Sequence, residues 1–126
     1  MSLRLSVRTL FAFALAAVLP TSWAQGAAST EQPMNCDMGP LMKTFGQTNW
    51  LVYACSDGHS VAIMSAPGSP ASPFYFMFHS TNQGYRLVGE GTGSKDATAK
   101  AHAELRAMSQ KEITALFAEA RKVGRK

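Results

Sequence analysis

The 126-residue sequence lacks the short motifs by which many enzymes of known chemistry can be identified. No serine lies in a Gly-x-Ser-x-Gly turn, which exposes the nucleophile of many hydrolases. No Gly-Lys-Ser/Thr follows a glycine-rich loop at the spacing of a phosphate-binding loop. The three histidines, His59, His79 and His102, stand in separate segments, and we interpret each as structural or exposed. The sequence therefore predicts a protein that is not an enzyme and has no cofactor.

Long apolar runs are also scarce. The one long run, residues 9–19 (TLFAFALAAVL), is shorter than the roughly 20 residues needed to span a bilayer. Two arginines precede it, and Ser22 and Ala24 place small residues three before and one before a cleavage point. The pattern predicts a signal peptide, residues 1–24, with export to a periplasm or secretion and no transmembrane anchor after cleavage. A retained membrane anchor is the alternative.

Charge of one sign does not dominate the predicted mature chain. Loss of the signal peptide removes Arg4 and Arg8, which lowers the formal net charge of +4 by two. Much of the remaining positive charge lies at the C-terminal end, where residues 123–126 form a predicted basic tail. The high isoelectric point therefore says little about the folded surface, and we predict no nucleic-acid partner.

Cysteine is rare, with only Cys36 and Cys55 in the chain. An even pair in an oxidising compartment predicts one disulfide. A soft-metal site, most suited to copper, is the alternative, since thiolate, thioether and imidazole groups bind such ions. No spacing matches a closed ligand set of the zinc type, so we predict no metal. The candidates for the alternative are Cys36, Cys55, His59 and Met38, with Met34 and Met42 nearby.

The stretch at residues 49–65 (NWLVYACSDGHSVAIMS) predicts a β-hairpin around which the domain is organised. Two runs rich in β-branched and aromatic residues flank Asp57-Gly58, a pair typical of tight hairpin turns. Residues 66–73 (APGSPASP) predict a stiff polar connection, because proline removes backbone donors. The predicted strands, which make an antiparallel meander of two hairpins, are 49–56, 59–65, 74–79 and 85–90.

Helical patterns flank this predicted meander. Ser94 is a candidate cap for a helix over about 95–108, and Ser109 with Glu112 forms a capping box for a second over 110–122. Residues 37–45 predict a short helix, with Gly39 as N-cap and Pro40 in the first position. The predicted fold is α+β, a four-stranded antiparallel meander packed against two C-terminal helices. The predicted disulfide attaches the short N-terminal helix to the sheet. The predicted organisation is a flexible lead-in at 25–35 and a single domain at 36–122.

A glycine-rich crossing, residues 89–96 (GEGTGSKD), joins the last predicted strand to the first C-terminal helix. Free N–H groups at a helix start can bind an anion. The alternative, which we favour, is a simple flexible crossing in which Asp96 complements the helix dipole.

Aromatic residues are concentrated on the predicted strands, and the strand at 74–79 (FYFMFH) is apolar on both faces. Two helices can cover only one face of a four-stranded sheet, so either the N-terminal segment covers the other face or an apolar patch is left for a partner. Core filling is the alternative use of these side chains. The predicted interaction surface, which would bind an unknown protein, a second copy or a small apolar ligand, comprises Trp50, Tyr53, Tyr75 and Tyr85.

A local motif adds a more specific hypothesis. Residues 51–60 (LVYACSDGHS) resemble the opening strand and turn of the periplasmic inhibitors of C-type lysozyme, through Tyr53, Cys55 and Gly58. The resemblance implies inhibition of a hydrolase, and an all-β fold that this chain departs from in its helical C-terminal region. The leading prediction is a small exported, non-catalytic binding protein, as a monomer or homodimer. The alternatives are a lysozyme inhibitor and then a copper carrier.

Overall fold

The computed structural model describes residues 33–124. The predicted signal peptide, most of the predicted lead-in and the last two residues of the predicted tail lie outside the described residues. Between these limits the chain forms one five-stranded antiparallel sheet, whose spatial order follows the sequence, and then two α-helices. The elements are β1 (Met38–Phe45), β2 (Thr48–Ala54), β3 (Val61–Ser65), β4 (Phe74–Thr81), β5 (Gly84–Gly91), α1 (Lys95–Arg106) and α2 (Gln110–Val123).

The segment predicted as a short N-terminal helix is strand β1, so the helix and the four-strand count were both wrong. Met42 of β1 lies opposite Leu51 of β2. The strands are joined by Gly46 and Gln47, with φ angles of 58° and 67°, as tight two-residue hairpins require. One or two helical turns are not stable alone in water, whereas this strand gains the hydrogen bonds of β2.

The other four strands and both C-terminal helices confirm the α+β prediction. Their bounds differ from the predicted ones by at most two residues. On β2 the alternate residues Trp50, Val52 and Ala54 are fully buried. Val52 pairs with Ile63 of β3, and Ile63 pairs with Phe76 of β4. These side chains lie on one apolar face of the sheet, and the core forms between this face and the helices.

The two helices cover this face. Ser94 accepts a hydrogen bond from the N–H of Ala97, and Ser109 and Glu112 form the predicted reciprocal capping box. The helices pack mainly on β1, β2 and β3. Neither of the helices in residues 33–124 has the length and apolarity needed to cross a membrane. Their buried residues are Ala97, Thr98, Ala101, Leu105, Ile113, Leu116, Phe117 and Ala120.

Trp50 and Phe76 form the centre of the core, with ring centroids 5.2 Å apart. The indole N–H of Trp50 donates to the carbonyl oxygen of Phe45 (3.1 Å) and to the hydroxyl of Thr48 (3.0 Å). The ring of Phe76 also lies over Gly89 of β5, where an added Cβ would come within 2.7 Å of it. An aromatic ring thus takes the place of a side chain on β5.

The proline-rich connection is fastened to the crossing that precedes α1. The N–H groups of Thr92 and Gly93 both donate to the carbonyl oxygen of Pro73, at 2.9 and 3.0 Å. The N–H of Ser94 donates to the carbonyl oxygen of Pro70 (2.9 Å). Backbone hydrogen bonds therefore hold the crossing in place, and these three N–H groups already have acceptors within the fold.

Candidate interaction surface

The face of the sheet opposite the helices, here called the back face, is the main candidate for binding. Its side chains alternate along each strand with those of the core, because successive residues of a strand point to opposite faces. Ala62 among them is buried, at 5% exposed, and none of the apolar members lies in the cluster beneath the helices or packs against it. The back face comprises Met42, Leu51, Tyr53, Ala62, Met64, Tyr75, Met77, His79, Arg86, Val88 and Glu90.

Apolar side chains run across the back face in two rows of strand neighbours. Met42 and Met64, in the first row, retain 53% and 43% of their surface exposed. Methionine is flexible and polarisable, and surfaces rich in it adapt to partners of different shape. The first row is Met42, Leu51, Met64 and Tyr75, and the second is Tyr53, Ala62, Met77 and Val88.

A cleft of about 450 Å³ opens at one end of the first row, lined in part by Met64, Pro73 and Tyr75. The phenol of Tyr75 donates to a carboxylate oxygen of Glu90 at 2.9 Å. This hydrogen bond, and next the negative charge of Glu90, raise the pKa of Tyr75 above its ordinary value. The cleft combines an apolar wall with one oriented polar pair, the composition of a pocket for an anchoring side chain.

The four aromatic residues predicted as an interaction surface separate in the structure. Tyr53 and Tyr75 lie on the back face. Trp50 is fully buried beneath the helices and therefore takes no part in a surface. Tyr85 lies on the helix side of β5, edge-on to Phe78, and its hydroxyl donates to the carbonyl of His59 (3.3 Å). The exposed methionines of the back face were not predicted. The alternation of Met42, Met64 and Met77 with core positions could have identified them once β1 was recognised as a strand.

Cys36 and Cys55 form the predicted disulfide. It joins the segment before β1 to the end of β2, where the N–H of Ser56 also donates to the carbonyl of Asn35 (2.7 Å). Of the other copper candidates, Met38 packs against the core and His59 is exposed in the β2–β3 turn. Residues 33–124 contain no cluster of three or more His, Cys, Asp or Glu that could hold a metal ion.

Asp57 organises the β2–β3 turn. Its carboxylate accepts from the N–H groups of His59 and Ser60, at 2.9 and 2.7 Å, and from the Ser60 hydroxyl. That hydroxyl is buried and accepts in turn from the N–H of Ser80 at the end of β4 (3.0 Å). Desolvation raises the pKa of Asp57, but the hydrogen bonds, led by the one from Ser60, outweigh it and leave the pKa lowered. We interpret the network as structural, because it links the β2–β3 turn to the end of β4.

We expect Asp57→Asn to lower the free energy of unfolding at pH 7 by about 1–3 kcal/mol, because it removes a charged acceptor of three hydrogen bonds. A carboxyl with a lowered folded-state pKa stabilises the fold above its unfolded pKa and loses that effect as the pH falls through the folded pKa. The difference between variant and wild type should therefore shrink below about pH 3.8. Urea unfolding at pH 7 and pH 3 measures it.

The matched control is Asp96→Asn, which removes a carboxylate from an exposed pair with Lys100 on α1 (3.4 Å). An exposed pair and an exposed carboxylate in the first turn of a helix each contribute little, so the control should stay within about 1 kcal/mol of wild type at both pH values. A constant deficit for Asp57→Asn across this range would contradict the assignment.

The histidines lie on different elements of the fold. His59 is in the β2–β3 turn, His79 is on the back face of β4 opposite Arg86, and His102 on α1 stacks on Phe76 with centroids 5.9 Å apart. Just before α1, the N–H groups of Thr92, Gly93 and Ser94 already have carbonyl partners within the fold. This favours a simple crossing at residues 89–96 over an anion-binding site.

No family model, no curated protein and no solved structure matches the chain.

Proposed function

We propose that the protein is a non-catalytic binding protein that holds an apolar segment of a partner protein on its back face. The observation that carries this proposal is the pair of apolar rows, which no helix or strand of residues 33–124 covers. A sheet that faces water usually carries polar side chains on that face. Contiguous exposed apolar surface on a soluble domain is typical of interaction sites.

The composition of the face favours a bulky apolar anchor in the partner. Met42, Met64 and Met77 offer adaptable contacts, while the open cleft beside Tyr75 has room for one side chain.

Export is the second part of the proposal. It is supported by the apolar run at residues 9–19, by the small residues before the predicted cleavage point, and by the Cys36–Cys55 disulfide, since disulfides persist in oxidising compartments. A partner would accordingly be another periplasmic or extracellular protein.

Selection of peptides from a displayed random library on the immobilised mature chain tests the binding surface. We expect the selected peptides to carry an aromatic or large aliphatic residue. Met64→Glu should weaken them at least about tenfold, because the change places a charge between Leu51 and Tyr75 in the first row. Isothermal titration of synthetic peptides measures the change.

The control is Thr114→Glu, an equally charged substitution at an exposed position of α2. It should leave peptide affinity within about twofold. Peptides that bind Met64→Glu as tightly as wild type, or a selection that yields no binders, would contradict the proposal.

Inhibition of a C-type lysozyme remains a second candidate, because Tyr53 of the motif that suggested it lies on the back face. Titration of lysozyme activity with the purified chain tests it directly. Stoichiometric inhibition would identify the partner, and unchanged activity would remove this candidate while leaving the broader proposal to the peptide experiment.

A further inference from the structure

The two edge strands of the sheet differ in how they are protected against pairing with another strand. On β1, the register is interrupted between Met38 and Leu41, Pro40 supplies no N–H, and the N–H of Gly39 donates to the carbonyl of Gly124 beyond α2 (3.0 Å). Strand β5 is eight residues long, unbroken in its pairing with β4, and free of proline. A regular edge of this kind presents backbone donors and acceptors to a further strand.

The sequence of β5 is complementary to itself when two copies run antiparallel. We propose that the protein forms a two-fold homodimer through β5, with Val88 opposite Val88 of the second copy, so that the two sheets join into one continuous sheet. Antiparallel pairing of identical strands about a two-fold axis is a closed arrangement, which ends at the dimer.

On the back face, the charged side chains of β5 are complementary in this register. Arg86 and Glu90 lie two residues on either side of Val88, on the same face and with opposite sign. In the proposed register Arg86 lies opposite Glu90 of the second copy, and the same pair forms again across the axis. Arg86 makes no ion pair within residues 33–124. Glu90 uses one carboxylate oxygen for Tyr75 and retains the other for the second copy.

On the helix side, the large and small residues of β5 are complementary in this register. The same register places Leu87 opposite Gly89 and Tyr85 opposite Gly91 of the second copy, so that each large residue faces a glycine. In its own chain Gly89 lies under the ring of Phe76, and Gly91 lies against the carbonyl oxygen of Pro73 and the backbone of Phe74. The incoming Leu87 and Tyr85 would therefore meet no side chain on the facing strand.

The pattern selects one register. A shift of two residues, which brings Leu87 opposite itself, places Arg86 opposite Val88 and leaves both charges unpaired. A shift of one residue exchanges the two faces of the sheet and puts charged residues over the core side. Only the register centred on Val88 pairs both charges and matches each large residue with glycine.

The dimer goes beyond the proposed function and does not depend on it. The two back faces would become continuous across the axis through Val88, which doubles the surface on which an apolar partner could lie. Failure of the peptide experiment would leave the dimer standing, and a monomeric protein would leave a single back face able to bind.

Sedimentation equilibrium of the mature chain over a wide concentration range tests the proposal. We expect a monomer–dimer equilibrium for wild type. Arg86→Glu and Glu90→Arg, each alone, should weaken it at least about tenfold, because each converts two attractive cross-strand pairs into two repulsive ones.

An equimolar mixture of the two variants should dimerise again. One variant then carries an acidic side chain at both positions and the other a basic side chain at both, so the proposed register restores two attractive pairs between unlike chains. Circular dichroism and thermal unfolding verify that the variants are folded.

Oxidative cross-linking gives an independent readout of register. Val88→Cys should yield a reducible covalent dimer, because cross-strand Cβ atoms directly opposite lie about 5 Å apart. Met77→Cys is the control, as a residue of the neighbouring strand on the same face lies about 14 Å from its copy and cannot be bridged. A wild-type chain that stays monomeric, a dimer that both charge variants leave intact, or a mixture that does not recover would each overturn the proposal.

Discussion

Replacing both cysteines by alanine, Cys36→Ala with Cys55→Ala, should lower the free energy of unfolding by about 3 kcal/mol. The bond closes a loop between residues 19 apart in sequence, and the entropy that such a cross-link removes from the unfolded chain is of that size. For a domain of this length the midpoint of thermal unfolding should fall by about 15 °C. Chemical denaturation followed by tryptophan fluorescence measures the change, because Trp50 is buried in the core.

Reductant provides the control for this prediction. It should destabilise the wild type towards the level of the double variant and leave the double variant unaffected. The hydrogen bonds between Asn35 and Ser56 remain in both, so the comparison isolates the covalent link. A loss below about 1 kcal/mol would contradict the loop-entropy argument.

Gly46→Ala should be as damaging, at about 3 kcal/mol or more. Gly46 has a φ of 58°, and an added Cβ would lie 2.4 Å from the backbone nitrogen of Ala101 in α1. The backbone N–H of Gly46 also donates to the carboxylate of Glu104 (2.9 Å). The substitution therefore combines left-handed backbone strain with displacement of the β1–β2 turn from the helix that it touches. Urea unfolding monitored by circular dichroism measures the loss.

Gly68→Ala separates the two contributions. Gly68 has a φ of 81°, but nothing lies within 4 Å of the position that its Cβ would occupy. Only the conformational cost applies there, about 1 kcal/mol. Equal losses for the two variants would show that the turn and α1 are not in close contact.

The parts of the fold that follow from local chemistry could be predicted from the sequence. The hairpin around Asp57-Gly58 and the capping box at Ser109 are set by residues within a few positions of one another. The capping box forms as predicted, and the hairpin forms with a longer connection than the predicted tight turn, between Ala54 and Val61. Strand β1 could not be predicted in this way. Its apolar spacing fits one helical turn as well as a strand, and pairing with β2 decides between them.

The same reason explains where the aromatic candidates lie. Tyr53 and Tyr75 lie on the back face, because alternation along a strand separates them from their core neighbours. Trp50 and Tyr53 point to opposite faces of β2, and only the position of the helices shows which of the two faces is buried. The symmetry of β5 about Val88 is visible in the sequence but acquires meaning only when β5 is known to be an edge.

The position of α2 determines when the core can close. This last helix packs on β1 and β2, the first two strands of the described domain, and the N–H of Gly39 in β1 donates to the carbonyl of Gly124 just past the helix. Hairpins between neighbouring strands involve only local contacts and can form early. The part of β2 that α2 covers nevertheless stays open until α2 arrives. A nascent chain that ends before residue 110 would therefore present apolar residues on both faces of its sheet, the kind of species that holding chaperones bind.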